Sequence, residues 1–152
     1  MYENVTENEL LRMENVVSFR GEVTRDEMDY IRRRIEKIIY ANSARQTGNP
    51  VTAVHSVGFD KKQIVVDWEI KVPTDRPLEL PKEFEFLPEF EIHDALKMHV
   101  NSDFKSITEA LPKVMEYIDY KGYHPGTEFY VEELDDRTAN IYAGLFEFGY
   151  YY

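Results

Sequence analysis

The sequence repeats one order of patterns at a spacing of about 75 to 80 residues. The first copy is a helical pattern at residues 24–41, followed by alternating strands that end at Val72. The second is a helical pattern from Asp103, followed by a hairpin that ends at Phe148. Because a strand pattern precedes each helix, the repeat predicts two strand-helix-strand-strand halves in one pseudo-symmetric domain of residues 1–152.

The halves are expected at about residues 14–73 and 94–149, with first strands at residues 15–20 and near 95–100. Between the halves, residues 74–93 are expected to form an extended connector with little sheet of its own. Four prolines punctuate residues 73–88, and proline cannot donate to a β-ladder. The phenylalanines of this stretch predict that it packs along the domain.

Local signals place the helix ends. Thr24 and Glu27 have the spacing of a capping box, and Asp103 is suited to cap the second helix. Pro112 lies inside the second helical pattern, which predicts that this helix bends or restarts after Leu111. Gly122 is expected to end it.

Strict alternation over residues 64–72 predicts a strand with two different faces. Ile64, Val66, Trp68, Ile70 and Val72 share the side expected to meet the helix. Trp68 is therefore predicted to be a core residue. The other side carries Asp67, Glu69 and Lys71 and is expected to meet water or a ligand.

Aligning the last strand with the strand at residues 64–72 predicts that Tyr142, Phe146 and Phe148 face the second helix, with Gly144 at the position of Trp68. By the same alternation, Ile141, Ala143 and Leu145 are expected on the opposite side.

Composition excludes several classes of site and partner. The chain has 152 residues, no cysteine and a net charge of −11. Without cysteine there is no thiolate nucleophile or thiolate metal site, and the four histidines lack HxH or HxxxH spacing, so we expect no metal and no cofactor. A surface this acidic repels nucleic acid and anionic lipid.

We also expect no membrane partner, because no apolar run approaches the roughly 20 residues that span a bilayer. The cytoplasm is the expected location.

Two segments resemble the GyrI-like family, the effector-binding domains of bacterial multidrug-sensing transcription regulators. Residues 107–130 are similar to the family's helix, glycine-tyrosine exit and strand of form Glu-x-Tyr, which here reads EFY at residues 128–130. The segment WEIKVP at residues 68–73 is similar to the family's other strand signature. The family's glycine-rich turn before the second helix is absent here.

The resemblance implies an α+β fold in which the duplicated units form one antiparallel sheet, with helices on one face and a ligand groove on the other. The family's groove glutamate corresponds to Glu128, and Tyr130 lies two residues further along the same strand. A carboxylate among aromatic rings selects a cation. Together with the alternation, this makes the expected ligand-binding residues Glu128, Tyr130, Glu69, Asp67 and Leu145.

The leading hypothesis is a stand-alone GyrI-like binding domain, not an enzyme, that holds a small cationic ligand or a protein segment in an acidic groove. The alternative is an acidic interaction partner, such as an inhibitor or immunity-type protein that neutralises a basic target by electrostatic steering. The third hypothesis is a hydrolase of strained small molecules, in which Glu128 and Tyr130 act as general base and hydrogen-bond partner.

Overall fold

The structure, a computed structural model, describes residues 4–146. Phe148 and the tail at residues 149–152 lie outside the described residues. The fold is α+β, and every strand pairing described below is antiparallel. In chain order the elements are β1 (Val5–Val23), α1 (Arg25–Ala41), β2 (Val51–Asp60), β3 (Gln63–Pro73), β4 (Glu85–Asn101), α2 (Phe104–Tyr120), β5 (His124–Glu133) and β6 (Thr138–Phe146).

Neither helix in residues 4–146 is both long enough and apolar enough to cross a bilayer. The chain divides into two compact units. The α1 unit comprises residues 12–90, and the α2 unit comprises residues 4–11 with 91–146. β1 therefore contributes its first residues to the α2 unit and the remainder to the α1 unit.

In the α1 unit, β3 lies between β1 and β2. Val17 pairs with Val72 on one side of β3, and Thr52 pairs with Ile70 on the other. The predicted helix-facing side is confirmed for Val66, Trp68, Ile70 and Val72, and Trp68 is 3% exposed within the core under α1. It is wrong for Ile64, which is 57% exposed beyond the end of that core. That core consists of Val17, Val23, Ile31, Ile35, Ile39, Trp68, Ile70, Val72, Leu78 and Phe84.

The ends of α1 follow from local hydrogen bonds. Thr24 Oγ1 accepts from Glu27 N, and Thr24 N donates to the Glu27 carboxylate, so the predicted capping box is confirmed. At the other end Ser43 adopts φ 54°, and Ala44 N donates back to Ile39 O at 3.0 Å. Left-handed backbone at this position satisfies the last helical carbonyls.

In the α2 unit, β6 lies between β4 and β5. Ala143 of β6 pairs with Leu96 of β4 and Phe129 of β5. These residues pack under α2 in a core cluster of Leu96, Val114, Tyr117, Ile118 and Ala143, with Met98, Tyr123, Phe129 and Leu145 against it.

α2 is one helix of 17 residues with Pro112 inside it, so the predicted restart is wrong. The amphipathic stripe on both sides of the proline holds the helix on the strands and offsets the cost of the missing N–H. Gly122 adopts φ 74° directly after the helix, which confirms the predicted end.

The first residues of β1 are tied to the α2 unit through Glu7. Its carboxylate accepts from the Tyr117 hydroxyl and, at 2.7 Å, from the Tyr123 hydroxyl. These hydrogen bonds lower the pKa of Glu7, and the bond to Glu7 raises the pKa of Tyr117 to about 12. The Glu7 carboxylate thus connects β1 to α2 through Tyr117 and to the segment after α2 through Tyr123.

Two strands begin about ten residues earlier than predicted. β1 begins at Val5 and β4 at Glu85. The expected connector with little sheet at residues 74–93 is therefore wrong from Glu85 onward. Pro88 lies within β4. Strands tolerate proline at edge or irregular positions, so a single proline is a weak signal against a strand.

Gly144 and Gly58 offer a matched test of packing on two strands. A Cβ at Gly144 would lie 2.7 Å from Thr127 Cγ2 and 2.9 Å from Ile92 Cγ2, whereas a Cβ at Gly58 meets no atom within 4 Å. We expect Gly144→Ala to destabilise the fold by about 1 to 3 kcal/mol through overpacking. Gly58→Ala should be neutral or stabilise by up to about 1 kcal/mol. Urea unfolding of both variants measures this, and equal midpoints would contradict it.

Candidate functional site

The side of β3 that faces away from α1 is polar and largely buried. Asp67, Glu69 and Lys71 occupy it, and the strand register aligns Lys71 with Ser18 of β1. Glu69 is 8% exposed and Lys71 is 5% exposed. Burying ionised side chains is costly unless they are paired, so their partners decide what this surface can do.

Glu69 is the centre of a buried network. His55 Nε2 lies 2.7 Å from Glu69 Oε1, and Lys71 Nζ donates to Glu69 Oε2. Lys71 Nζ also donates to Ser18 Oγ at 3.0 Å and lies 4.9 Å from the centre of the Phe90 ring. Both carboxylate oxygens therefore have a donor, and the ammonium gains a cation–π contact.

The hydrogen bonds decide the charge of Glu69. Burial raises the pKa of its carboxyl group, but hydrogen bonds from Lys71 and His55 and the positive charge of Lys71 outweigh it, so the pKa is lowered overall. Glu69 is an ionised carboxylate at neutral pH. Its negative charge is compensated inside the α1 unit.

Asp67 is also paired. The Arg20 guanidinium donates to both of its carboxylate oxygens, at 3.2 and 3.1 Å, and these bonds lower the pKa of Asp67. Both acidic residues predicted from β3 to contact a ligand therefore hold a cationic partner already. On this strand the predicted acidic surface is a set of ion pairs.

A β-bulge explains how His55 reaches Glu69. Val54 pairs with Trp68 and Ser56 with Asp67, so His55 is the extra residue between them. A bulge re-aims a side chain out of the regular alternation. No pattern in the sequence marks this position, and His55 was not among the predicted site residues.

In the α2 unit, the strand pairing corrects the prediction of which side chains of β6 face α2. Ala143 and Leu145 pack with α2, so the predictions that Leu145 faces away from the helix and that Tyr142 faces it are both wrong. Because side chains alternate along a strand, Tyr142 lies on the opposite side. It is directly opposite Tyr130 of β5 and Lys97 of β4.

Tyr142 lies among polar groups although it is only 6% exposed. Burial and the negative charges of Glu132 and Glu9 raise its pKa to about 12. Asn140 Nδ2 donates to Glu132 at 2.9 Å, and Lys97 Nζ lies 3.5 Å from Glu9. The side facing away from α2 thus combines two tyrosines with charged groups.

Glu128 occupies an irregular part of β5. The register shifts between Pro125 and Phe129, and Glu128 is exposed. It borders a depression that is also lined by Met115, Pro125, Gly126, Thr127 and Phe129. That Glu128 shares a ligand-binding face with Tyr130 stays a prediction. Within residues 4–146, no three His, Asp or Glu side chains gather as metal ligands would.

The structure is similar to the crystal structure of the EcmrR C-terminal domain, with a TM-score of 0.69 and 16% identity over 94% of this chain and 98% of that chain. The chain has the fold of the EcmrR C-terminal domain. This fold agrees with the expected α+β class.

EcmrR in its complex with DNA matches with a TM-score of 0.69 and 15% identity over 95% of this chain, which spans only 58% of that EcmrR chain. A hydrolase from Listeria innocua matches with a TM-score of 0.58 and 9% identity over 92% of this chain and 93% of that chain. No family profile and no curated protein matches the sequence.

Lys71 should be essential to the stability of the α1 unit. We expect Lys71→Met to cost about 3 to 5 kcal/mol, because it removes the ammonium group that pairs with the buried Glu69 carboxylate. Arg20→Met is the matched control, and should cost far less because water screens the Arg20–Asp67 pair. Chemical unfolding of both variants checks this, and similar losses would contradict a special role for the buried pair.

The network also predicts a pH dependence. Glu69 has a folded pKa below its ordinary value of 4.5, so its contribution to stability is complete above about pH 4.5 and is lost as the pH falls through the folded pKa. Glu69→Gln lacks this titration. The difference in unfolding free energy between wild type and Glu69→Gln should therefore shrink from pH 6 to about pH 3. A constant difference across this range would show that folding does not lower the pKa of Glu69.

Proposed function

We propose that this chain is a GyrI-like binding domain that holds a small organic molecule on the side of the α2-unit strands that faces away from α2. The fold of the EcmrR C-terminal domain supports this proposal, since a shared fold raises the prior for a shared kind of site. The residues that support the binding proposal most directly are Tyr130 and Tyr142. They are paired on neighbouring strands, next to a charged cluster.

The two tyrosines change the balance between aromatic and acidic contacts. The sequence alone offers one ring, Tyr130, against the carboxylates of Asp67, Glu69 and Glu128. With Tyr142 beside Tyr130 there are two rings, and two of the three carboxylates have cationic partners. A ligand should therefore gain most of its affinity from ring contact.

The ligand proposed is an organic cation of modest size. Burial raises the pKa of Tyr142 most, and the negative charges of Glu132 and Glu9 raise it further, so these carboxylates favour a cation near the ring. Glu128, on the same strand as Tyr130, is the proposed counter-charge. Asp67 and Glu69 are left out because they hold cationic partners within the α1 unit, and Leu145 is left out because it packs under α2.

We also propose that the two units arose from one duplicated strand-helix-strand-strand element. The same spacing of 79 residues separates left-handed Asn15 from Asp94, the helix caps Thr24 and Asp103, and left-handed Ser43 from Gly122; both helices have 17 residues. In each unit, the first strand pairs with the last. An experimental structure in which residues 15–43 fail to superpose on residues 94–122 would contradict the duplication.

The two other hypotheses gain less support. The charge of −11 still suits a basic protein partner, but the pairing of Asp67 and Glu69 removes part of the acidic surface it requires. Hydrolysis requires an available base. Glu69 is a poor candidate because His55 and Lys71 occupy both of its oxygens, which leaves Glu128 as the proposed base for that reaction.

A panel of organic cations tests the binding proposal by thermal shift and calorimetry. A ligand at about 100 times its dissociation constant should stabilise the folded protein by about 2.7 kcal/mol. Tyr130→Ala should weaken binding at least tenfold, because it removes one of the paired rings. Glu128→Gln should weaken binding of cations more than that of neutral molecules of the same shape.

Tyr120→Ala is the matched control, since Tyr120 is a 74% exposed tyrosine on α2 and should leave binding unchanged. Equal effects of Tyr130→Ala and Tyr120→Ala would place the site elsewhere. If no cation binds while a basic protein is captured at about 0.01 M salt and lost at about 0.15 M salt, the interaction-partner hypothesis replaces this one.

A further inference from the structure

The outer end of the β2–β3 hairpin carries three exposed apolar side chains. Val57 is 63% exposed, Phe59 is 80% exposed and Ile64 is 57% exposed. Phe59 pairs with Ile64 and Val57 pairs with Val66, so all four side chains share one face of the hairpin. We call Val57, Phe59 and Ile64 the hairpin stripe.

The hairpin stripe continues the helix-facing side of β3. Val66 packs against the core under α1, and Trp68 lies within that core. Ile64, on the same side of the strand, is more than half exposed. Single exposed apolar residues are ordinary, but a contiguous set on one strand face is typical of a contact surface.

Charge differs between the two ends of this exposed segment. At its tip, Lys61 and Lys62 form the turn with φ values of 47° and 72°. At its base, Val23 lies opposite Val66, directly before α1. Asp26 and Glu27 are the acidic residues in the first turn of that helix. The tip is basic and the base is acidic, in a chain whose net charge is −11.

We propose that the hairpin stripe is the contact surface of a symmetric dimer of this chain. Two hairpins lie face to face and antiparallel, so that each stripe covers the other. About five residues separate the base from the tip, which is roughly 15 Å of strand. A two-fold axis through the stripe therefore brings Lys61 and Lys62 of each copy to Asp26 of the other.

Charge complementarity favours a second copy over an unrelated partner. Most of the acidic surface of another copy repels this chain, but the basic tip against the acidic base creates two attractive contacts in one register. The contact is small, because three side chains a copy bury less than the roughly 800 Å² per partner of a standard interface. The dimer should therefore be weak, with a dissociation constant on the order of 10 to 100 µM at low salt.

Sedimentation equilibrium of the full chain tests the dimer from about 10 µM to about 1 mM. Phe59→Ser and Lys61→Glu/Lys62→Glu should each weaken it at least tenfold. Phe104→Ser is the matched control, since Phe104 is an 86% exposed phenylalanine on α2 and should leave the dimer unchanged. The thermal midpoint of each variant verifies that the substitutions leave the fold intact.

A charge swap tests the register. Asp26→Lys should also weaken the homodimer, whereas a mixture of this variant with Lys61→Glu/Lys62→Glu should form a heterodimer at least tenfold tighter than either homodimer. Recovery of the heterodimer supports the proposed pairing. A wild type that stays monomeric at about 1 mM, a dimer indifferent to Phe59→Ser, or a mixture without a heterodimer would each overturn it.

Discussion

The pairing of β1 with β3 and of β4 with β6 decides which side chains meet the helices. Val17 opposite Val72 places Trp68 and Ile70 under α1, and Leu96 opposite Ala143 places Leu145 under α2. A shift of one residue in either register would exchange core and surface along the whole strand. These two pairings also decide on which side Glu69 and Tyr142 lie, and their partners His55 and Tyr130 come from the neighbouring strands β2 and β5.

Features fixed by local chemistry could be predicted from the sequence. The capping box of Thr24 and the left-handed Gly122 depend on neighbouring residues alone. Trp68 was also predictable, because charged residues alternate with apolar ones around it and only one phase buries the apolar set. The α+β class followed from these elements.

The phase of β6 could not be predicted in the same way. Residues 141–145 are apolar or aromatic at every position, so the segment itself does not distinguish its two sides, and the pairing with Leu96 decides. His55 was missed because a bulge moved it out of the alternation. The ion pairs of Asp67 and Glu69 depend on contacts with β1 and β2, about which single-strand periodicity carries no information.

Lys71 has a consequence for what the polar side of β3 will accept. Its ammonium group lies between a carboxylate, a hydroxyl and the Phe90 ring, which are surroundings suited to a free amine. An amine arriving from solution must displace the ammonium group of Lys71. Because Lys71 is joined to the same strand, its effective concentration is at least on the order of millimolar. Lys71 is thus a competitor built into the strand, and it keeps the Glu69 carboxylate occupied without a steric gate.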